Sequence, residues 1–600
     1  MCGIVGAISE TPYTEEIRKS LEAISHRGPD NQSSFVSNFG NRALFFGHSR
    51  LAIRDTSSQS NQPLVSDCSG FSLVYNGEIY NFRFLIDKYK IPSKFQKSDS
   101  LILFYLLIDV GEECLADLNG IFAFAFFDKQ NKRFILARDA VGAKPIYYNF
   151  NNGELRFASE LRALKVLGVD PEVSEEELFE AMNLGYVLEP RTGFSNITKV
   201  PPSHYLLLEG GNEPILKQYN PNISNNPDAE SLVINSIKGQ LVSDVPICSF
   251  FSGGVDSSVL ALIGKTPLLH LQYPEMRDST YASRIADYLG LNLHKFELQP
   301  SNKTLIEDAF EIADGVEEPI ADYTFLASKQ LSEHAQKAGY KVALSGMGAD
   351  EAFGGYIRYH LMSIRPVLKI LRFRPLEIAT SHILKKMKVP MRKYQRLFSF
   401  AQENNEFLAY SSLVGYFSRD ELDSLWGGRS FEHRRRLTDT WSGDIDSRLR
   451  GYNLAKEFDR LGFLSHNLIV ADKSSMSRGV ELRVPFLAEE IYFSSSPSVK
   501  GLSHLFRGGK GVLKNILFRS ISKAFFSRPK EGFNPPLDKA VECLGEDELI
   551  AFFREGKLVE YISMAALQEL ITKHFDRTED NTYKIWSLIF FEQWLRRWSN

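Results

Sequence analysis

The sequence predicts two domains of different class: an α+β domain over residues 1–210, and an α/β domain with a parallel sheet and a helical C-terminal part over residues 229–600. Three observations carry this expectation. Short aromatic and β-branched runs bounded by Gly, Asn and Asp dominate the first part of the chain. The stretch YNPNISNNPDAE at 219–230 then concentrates Asn and Pro, as a linker does. Beyond it, apolar strands alternate with helical stripes, which is the texture of a doubly wound parallel sheet.

Taken in order, the stretches FSLVYN, GIFAFAFFD and RFILARD read as strands, and TEEIRKSLEAIS reads as a helix because Ile17, Leu21 and Ile24 recur at helical spacing. After the linker, VPICSFF, LLHLQY and KVALSG are short apolar strands. Between them, TYASRIADYLG places Ala282, Ile285, Ala286 and Leu289 on one stripe and ends at Gly290. Past about residue 360 the pattern is mostly helical and closes on the aromatic run YKIWSLIFFEQWLRRW.

Composition narrows the class of function. The chain has 600 residues, 43% hydrophobic and 24% charged, with a net charge of -4, so neither a disordered chain nor a global field for nucleic acid is expected. Five cysteines, at 2, 68, 114, 248 and 543, are too scattered to staple so long a chain and read as thiols of a reducing compartment. The start lacks a basic segment followed by an apolar one, and runs such as LILFYLLI fall short of the roughly 20 residues that a membrane span needs. A cytoplasmic location is therefore expected.

Chemistry concentrates at three places. In SFFSGGVDSSVLALI, the strand gives way to Ser252, Gly253 and Gly254, where backbone N–H groups can approach an anion, and the following helix aims its positive end at the same point. Ser257 and Ser258 add hydroxyls, and Asp256 suits the Mg²⁺ that accompanies a nucleotide. A plain capped turn is the alternative. Neither a Walker loop nor a dinucleotide fingerprint is present. A second loop, SGMGADEAFGGY at 345–356, opens with Ser345 and Gly346 and offers Asp350 and Glu351. Two such loops at parallel strand ends would face one another across the ligand crevice, although carboxylates satisfying a helix N-terminus are the alternative. The third place is Cys2. Once Met1 is removed, its own α-amine, with an ordinary pKa near 8, can serve as the base for its thiol; a small buried strand residue is the alternative.

The segment SGGVDSS resembles the pyrophosphate-binding loop of the N-type ATP pyrophosphatases. MCGIVGAIS, HRGPD at 26–30, GHSRLAI at 47–53, NGEIYN at 76–81 and ARDAVGAKPIYY at 137–148 resemble, in order, the glutaminase domain of class II amidotransferases. With ELRVPFL at 481–487, LKNILFR at 513–519 and RPKEGF at 528–533, the chain resembles the asparagine synthetase family over nearly its full length. The resemblance implies an αββα Ntn-hydrolase sandwich followed by an adenylating ATP pyrophosphatase domain. It implies that Cys2 attacks the glutamine side-chain amide, with Asn76 and the Gly77 N–H as oxyanion hole. Arg50 would then hold the α-carboxylate, and Glu78 and Asp99 the α-ammonium. Ser252, Gly253, Gly254, Asp256, Ser257, Asp350 and Lys514 match positions that hold ATP, pyrophosphate or Mg²⁺, while Phe251 and Leu271 match positions against the adenosine.

The partners implied are glutamine, ATP and a carboxylate acceptor, most simply aspartate, with no nucleic acid and with room for a homodimer. Aromatic strands such as FAFAFF could line an ammonia path, although core packing explains them more simply. Two departures bear on the acceptor. The family's second loop usually reads S-G-E-G where this chain has Met347, and Ala488 stands where the family has Asp after PFL. A different carboxylate, such as a uronic acid of a polysaccharide or a natural-product precursor, is thus the alternative acceptor. A purely binding descendant has no use for Cys2, Arg50, Asn76 and Asp256 together, and an intramolecular β-lactam-forming relative has no use for Cys2.

Overall fold

The computed structural model describes residues 2–68, 70–210, 213–223, 228–272, 278–298, 303–369, 391–446, 448–494, 509–526 and 537–599. The RPKEGF segment and residues 224–227 of the Asn- and Pro-rich stretch lie outside the described residues.

Up to Gln218 the chain forms strands β1 (Gly3–Ser9), β2 (Asn31–Phe39), β3 (Arg42–Arg50), β4 (Leu64–Val65), β5 (Phe71–Ile79), β6 (Gly120–Asp128), β7 (Arg133–Arg138), β8 (Tyr147–Asn151), β9 (Glu154–Ala158), β10 (Thr198–Lys199), β11 (His204–Glu209) and β12 (Ile215–Gln218). They build two six-stranded antiparallel sheets, ordered β10-β8-β9-β1-β3-β2 and β12-β11-β7-β6-β5-β4. The pleat explains the continuous apolar run of β6. Phe122, Phe124 and Phe126 face Leu85, Leu103 and Leu106 of the helices Phe82–Tyr89 and Asp99–Asp109. Ala123, Ala125 and Phe127 face Ile4, Phe46 and Phe157 of the other sheet. Fully buried rings such as Phe122 and Phe124 each stabilise by about 2 kcal/mol. On the far side of the first sheet, Val5 and Ala7 pack with Ile17 and Leu21 of the helix Thr14–Ala23 and with Leu164. The result is the expected αββα sandwich, and FAFAFF is core.

Further along the chain, β13 (Ile247–Phe250), β14 (Leu268–Gln272), β15 (Leu293–Glu297), β16 (Val342–Leu344) and β17 (Glu481–Arg483) form one parallel sheet in the order β15-β14-β13-β16-β17. The winding direction reverses between β13 and β16, which opens the crevice at their carboxyl ends where α/β sheets bind ligands. In the helix Asp278–Leu289 the expected stripe is buried at Ala282, Ile285 and Ala286. Gly290, at φ +66°, follows the helix end.

The rest of the described chain is mostly helical. Its last helix, Thr582–Trp598, packs back on the first domain, with Trp594 5.1 Å from Phe194 ring to ring and its Nε1–H donating to Glu317 O at 2.9 Å. Ions also cross between the two parts. The fully buried Arg27 donates from Nη1 to Glu160 (3.0 Å), from Nη2 to Asp472 (2.8 Å) and from Nε to Cys2 O (3.2 Å), while Lys144 Nζ reaches Asp472 Oδ1 at 3.1 Å. Burial alone would raise Asp472, but Arg27 and Lys144 hold its carboxyl below the ordinary range. No helix among the described residues is long and apolar enough to cross a membrane.

Candidate active site

Cys2 lies just before β1, 8% exposed, where the strand runs antiparallel to β3. Its backbone N–H donates to Asn76 Oδ1 at 2.8 Å. Asn76 sits fully buried on β5, and with Oδ1 committed to Cys2, its Nδ2 is a buried donor with no partner among the described residues. Gly77 follows on the same strand; a Cβ there would stand 2.3 Å from Ile121 O, so only glycine lets β5 and β6 pair at this register. Burial pushes the Cys2 thiol up, against the pull of the Leu51 backbone N–H and the Arg50 guanidinium.

One cavity brings together Cys2, Arg50, Gly77, Glu78, Asp99 and Glu481. Arg50, at the end of β3 and 5% exposed, donates to Ser57 O at 2.7 Å, to Asn61 Oδ1 at 2.6 Å and to Asp55 O. All of these are neutral acceptors, and no carboxylate pairs with it among the described residues. Asp99 opens a helix whose N-cap, Ser98, accepts from Leu101 N–H; its Oδ2 accepts from Tyr75 Oη (2.8 Å) and Ile79 N–H (3.1 Å). Burial and the neighbouring Asp99 raise Glu78 well above the carboxylate range, with Arg483 opposing from 3.5 Å. Glu481 and Arg483 come from β17 of the second domain, and their Oε1 and Nε pair at 2.6 Å.

The second site lies at the switch between β13 and β16. Phe251 is buried at the end of β13, donating to Leu269 O at 2.8 Å, and Leu271 lies on the neighbouring β14. Gly253 has φ +70° and touches Ala282 closely, which a side chain could not do. Gly254 caps the helix Val255–Gly264, and the Ser252 N–H donates to Ser257 Oγ at 3.3 Å. Ser258 is fully buried one residue further on. From β16, Ser345 N–H donates to Arg483 O, and a Cβ on Gly346 would lie 3.1 Å from Asp256 Cβ, so the two glycine-rich loops touch. Asp256 and Asp350 converge on one ammonium, Lys510 Nζ, at 2.7 and 2.8 Å. Lys514 stands one helical turn further, its pKa lowered by burial and by the charge of Lys510.

Residues 1–220 match the family model for a glutamine amidotransferase domain, and residues 228–596 match the model for asparagine synthase. The chain belongs to the asparagine synthase family. It is an ATP-dependent carbon–nitrogen ligase that draws its nitrogen from glutamine. A putative glutamine-hydrolysing asparagine synthetase 2 of Methanocaldococcus jannaschii is 30% identical over 62% of this chain and 79% of its own length. Glutamine-hydrolysing asparagine synthetase 1 of Bacillus subtilis is 26% identical over 99% of this chain and 96% of its own. The amidase chry2 of Gibberella zeae is 27% identical over 61% of this chain and 60% of its own.

Within this asparagine synthase framework, Met347 packs on two buried apolar clusters and Ala488 on one of them. The nearby acid is Glu351, 3% exposed, pushed up to about 7 by burial and accepting from Tyr356 Oη at 3.0 Å. Sequence reasoning assigned no role to Glu481, Arg483 or Lys510. The pleat places Glu481 and Arg483 on one face of the edge strand β17 and Leu482 on the other, all three buried; the alternation of charges around a leucine was the available signal.

Proposed function

We propose that glutamine is hydrolysed at Cys2 and that its ammonia is passed to a carboxylate activated at the Gly-loop site. Removal of Met1 frees the α-amine of Cys2 to take the thiol proton. The thiolate attacks the amide carbon, and Asn76 Nδ2 and the Gly77 N–H stabilise the oxyanion, each donor worth about 3 kcal/mol. Arg50 pairs with the substrate α-carboxylate in a fork of two hydrogen bonds, and Glu78 with Asp99 takes the α-ammonium.

At the second site, Ser252, Gly253, Gly254, Ser257, Ser258, Ser345, Gly346 and Lys514 surround the phosphates, and Phe251 and Leu271 flank the adenosine. ATP arrives with Mg²⁺ as a joint substrate. No cluster of three metal-ligating side chains occurs among the described residues, and none is needed where phosphates complete the shell; two carboxylates, Asp256 and Asp350, fit that demand. The acceptor carboxylate attacks the α-phosphorus and pyrophosphate leaves. Ammonia then attacks the acyl carbon and AMP leaves with the electron pair of the C–O bond.

The observation that carries this reading is the material between the sites. Leu51 and Ile53, which line the Cys2 cavity, belong to the same buried apolar cluster as Phe251 and Ala349 of the second site, with Met347 packed against it. An apolar path favours neutral ammonia over ammonium. Aspartate is the acceptor that the asparagine synthetase relatives support. A second reading, a carboxylate without a neighbouring ammonium, is favoured by the apolar seats of Met347 and Ala488, since a thioether neither takes a proton from ammonia nor pairs with an ammonium. A pyrophosphate-release screen over carboxylates decides between them: signal with aspartate supports the first, and silence with aspartate beside signal from another acid supports the second.

A further inference from the structure

The two carboxylates that converge from the facing loops already hold a cation between them, and it belongs to the chain. Lys510 Nζ makes both contacts with 11% of its side chain exposed. The backbone is shaped for this seat. Lys510 has φ +66°, a left-handed conformation that is unfavourable for a residue with a side chain. Its N–H donates to Phe353 O at 3.1 Å, and Gly509 presses so close that a Cβ there would stand 2.1 Å from Gly354 O.

Charge sets the two cations in competition. A Mg²⁺ shared by Asp256 and Asp350 would draw, at about 2.1 Å, on the same two carboxylates that Lys510 neutralises. An ammonium kept at hydrogen-bond distance from them would then face two positive charges at close range in a poorly solvated site. The lysine stem is flexible, and Lys514 and the N-terminus of the helix Val255–Gly264 define where an anion would lie next to it.

We propose that Lys510 is the resident counter-ion of the phosphate site: it competes with the divalent ion for Asp256 and Asp350 and, once displaced, turns to the pyrophosphate. This rests on the phosphate-site reading above. It makes Lys510 a pyrophosphate-positioning residue in addition to Lys514, and it makes metal entry and lysine transfer one exchange of charge.

The test is Mn²⁺ binding to the full chain without nucleotide, followed by electron paramagnetic resonance. Lys510→Met is expected to bind Mn²⁺ about tenfold more tightly than the parent, because its competitor is gone, and pyrophosphate about tenfold more weakly with Mg²⁺ in excess. Lys510→Arg, which keeps the charge, restores Mn²⁺ affinity to near the parent value. A lysine that only anchors the loops gives unchanged or weaker Mn²⁺ binding in Lys510→Met, and that result overturns the proposal. Should Lys510→Met not fold, acylation footprinting of the parent protein decides: Mn²⁺ alone must speed Lys510 acylation and added pyrophosphate must slow it again, and an unchanged rate overturns the proposal. Asp256→Asn separates the two claims. If it binds Mn²⁺ and pyrophosphate as the parent does, the phosphate-site reading fails; if it loses both while Lys510→Met matches the parent, only the counter-ion proposal fails.

Discussion

Asn76 shows how one side chain can serve two ends. Its Oδ1 is tied to the Cys2 backbone N–H, so the amide is oriented and the unpartnered Nδ2 is held as a donor. We predict that Asn76→Ala lowers glutaminase kcat by about 10²–10³ with little change in KM, whereas Cys2→Ala abolishes glutaminase and leaves ammonium usable as nitrogen source; steady-state glutamate release checks both. A rise in KM at unchanged kcat in Asn76→Ala would point to substrate binding instead. Glu351 makes a prediction about pH. Burial lifts its folded pKa from an ordinary 4.5 to about 7, so the folded state binds the proton more tightly than the unfolded one. Its stabilising contribution is whole below pH 4.5 and is lost as pH rises through about 7. Thermal unfolding between pH 5 and 8 should therefore slope downward with pH, and Glu351→Gln should flatten that slope. Cys2, Arg50, Asn76 and Glu78 could be expected together because each sits in a short motif, whereas Asp99 rested on the family resemblance alone. Lys510 could not, because its partner Asp256 lies 254 residues away and no local period encodes that contact.

At the scale of elements, strand identity on β6 followed from its aromatic run bounded by Gly and Asp, and helix identity from apolar spacing, as in the stripe of Ala282, Ile285 and Ala286. The loops between them hold the chemistry through close backbone approach. In the second loop, a Cβ on Gly355 would lie 1.8 Å from Asp350 Oδ1 and 2.7 Å from Lys510 Cε. Gly355→Ala must therefore displace that pair, and a misplacement of this order costs about 10²-fold in pyrophosphate release. Glutamine hydrolysis, far along the chain, should persist; equal loss of both activities would mean global damage. What sequence patterns missed at this scale is β17, three residues long, whose two charges masked a buried strand.

At the scale of the molecule, the two halves are welded by buried charge. Asp472 pairs with Lys144 and shares Arg27 with Glu160, over separations of up to 445 residues that no motif could disclose. Asp472→Ala leaves Lys144 buried without its carboxylate, and we predict a loss of about 3–5 kcal/mol, read as a lower urea midpoint. Because the folded Asp472 pKa is depressed, its contribution holds above the ordinary aspartate range and is lost as pH falls; the variant should be less acid-sensitive than the parent. The edge strand β17 has a practical corollary. Since Glu481 walls the chamber that holds Cys2, a fragment ending at Gln218 keeps the nucleophile but inherits a breached vessel. Anyone carving a free-standing glutamine hydrolase from this polypeptide must first rebuild that missing panel in acid and guanidinium.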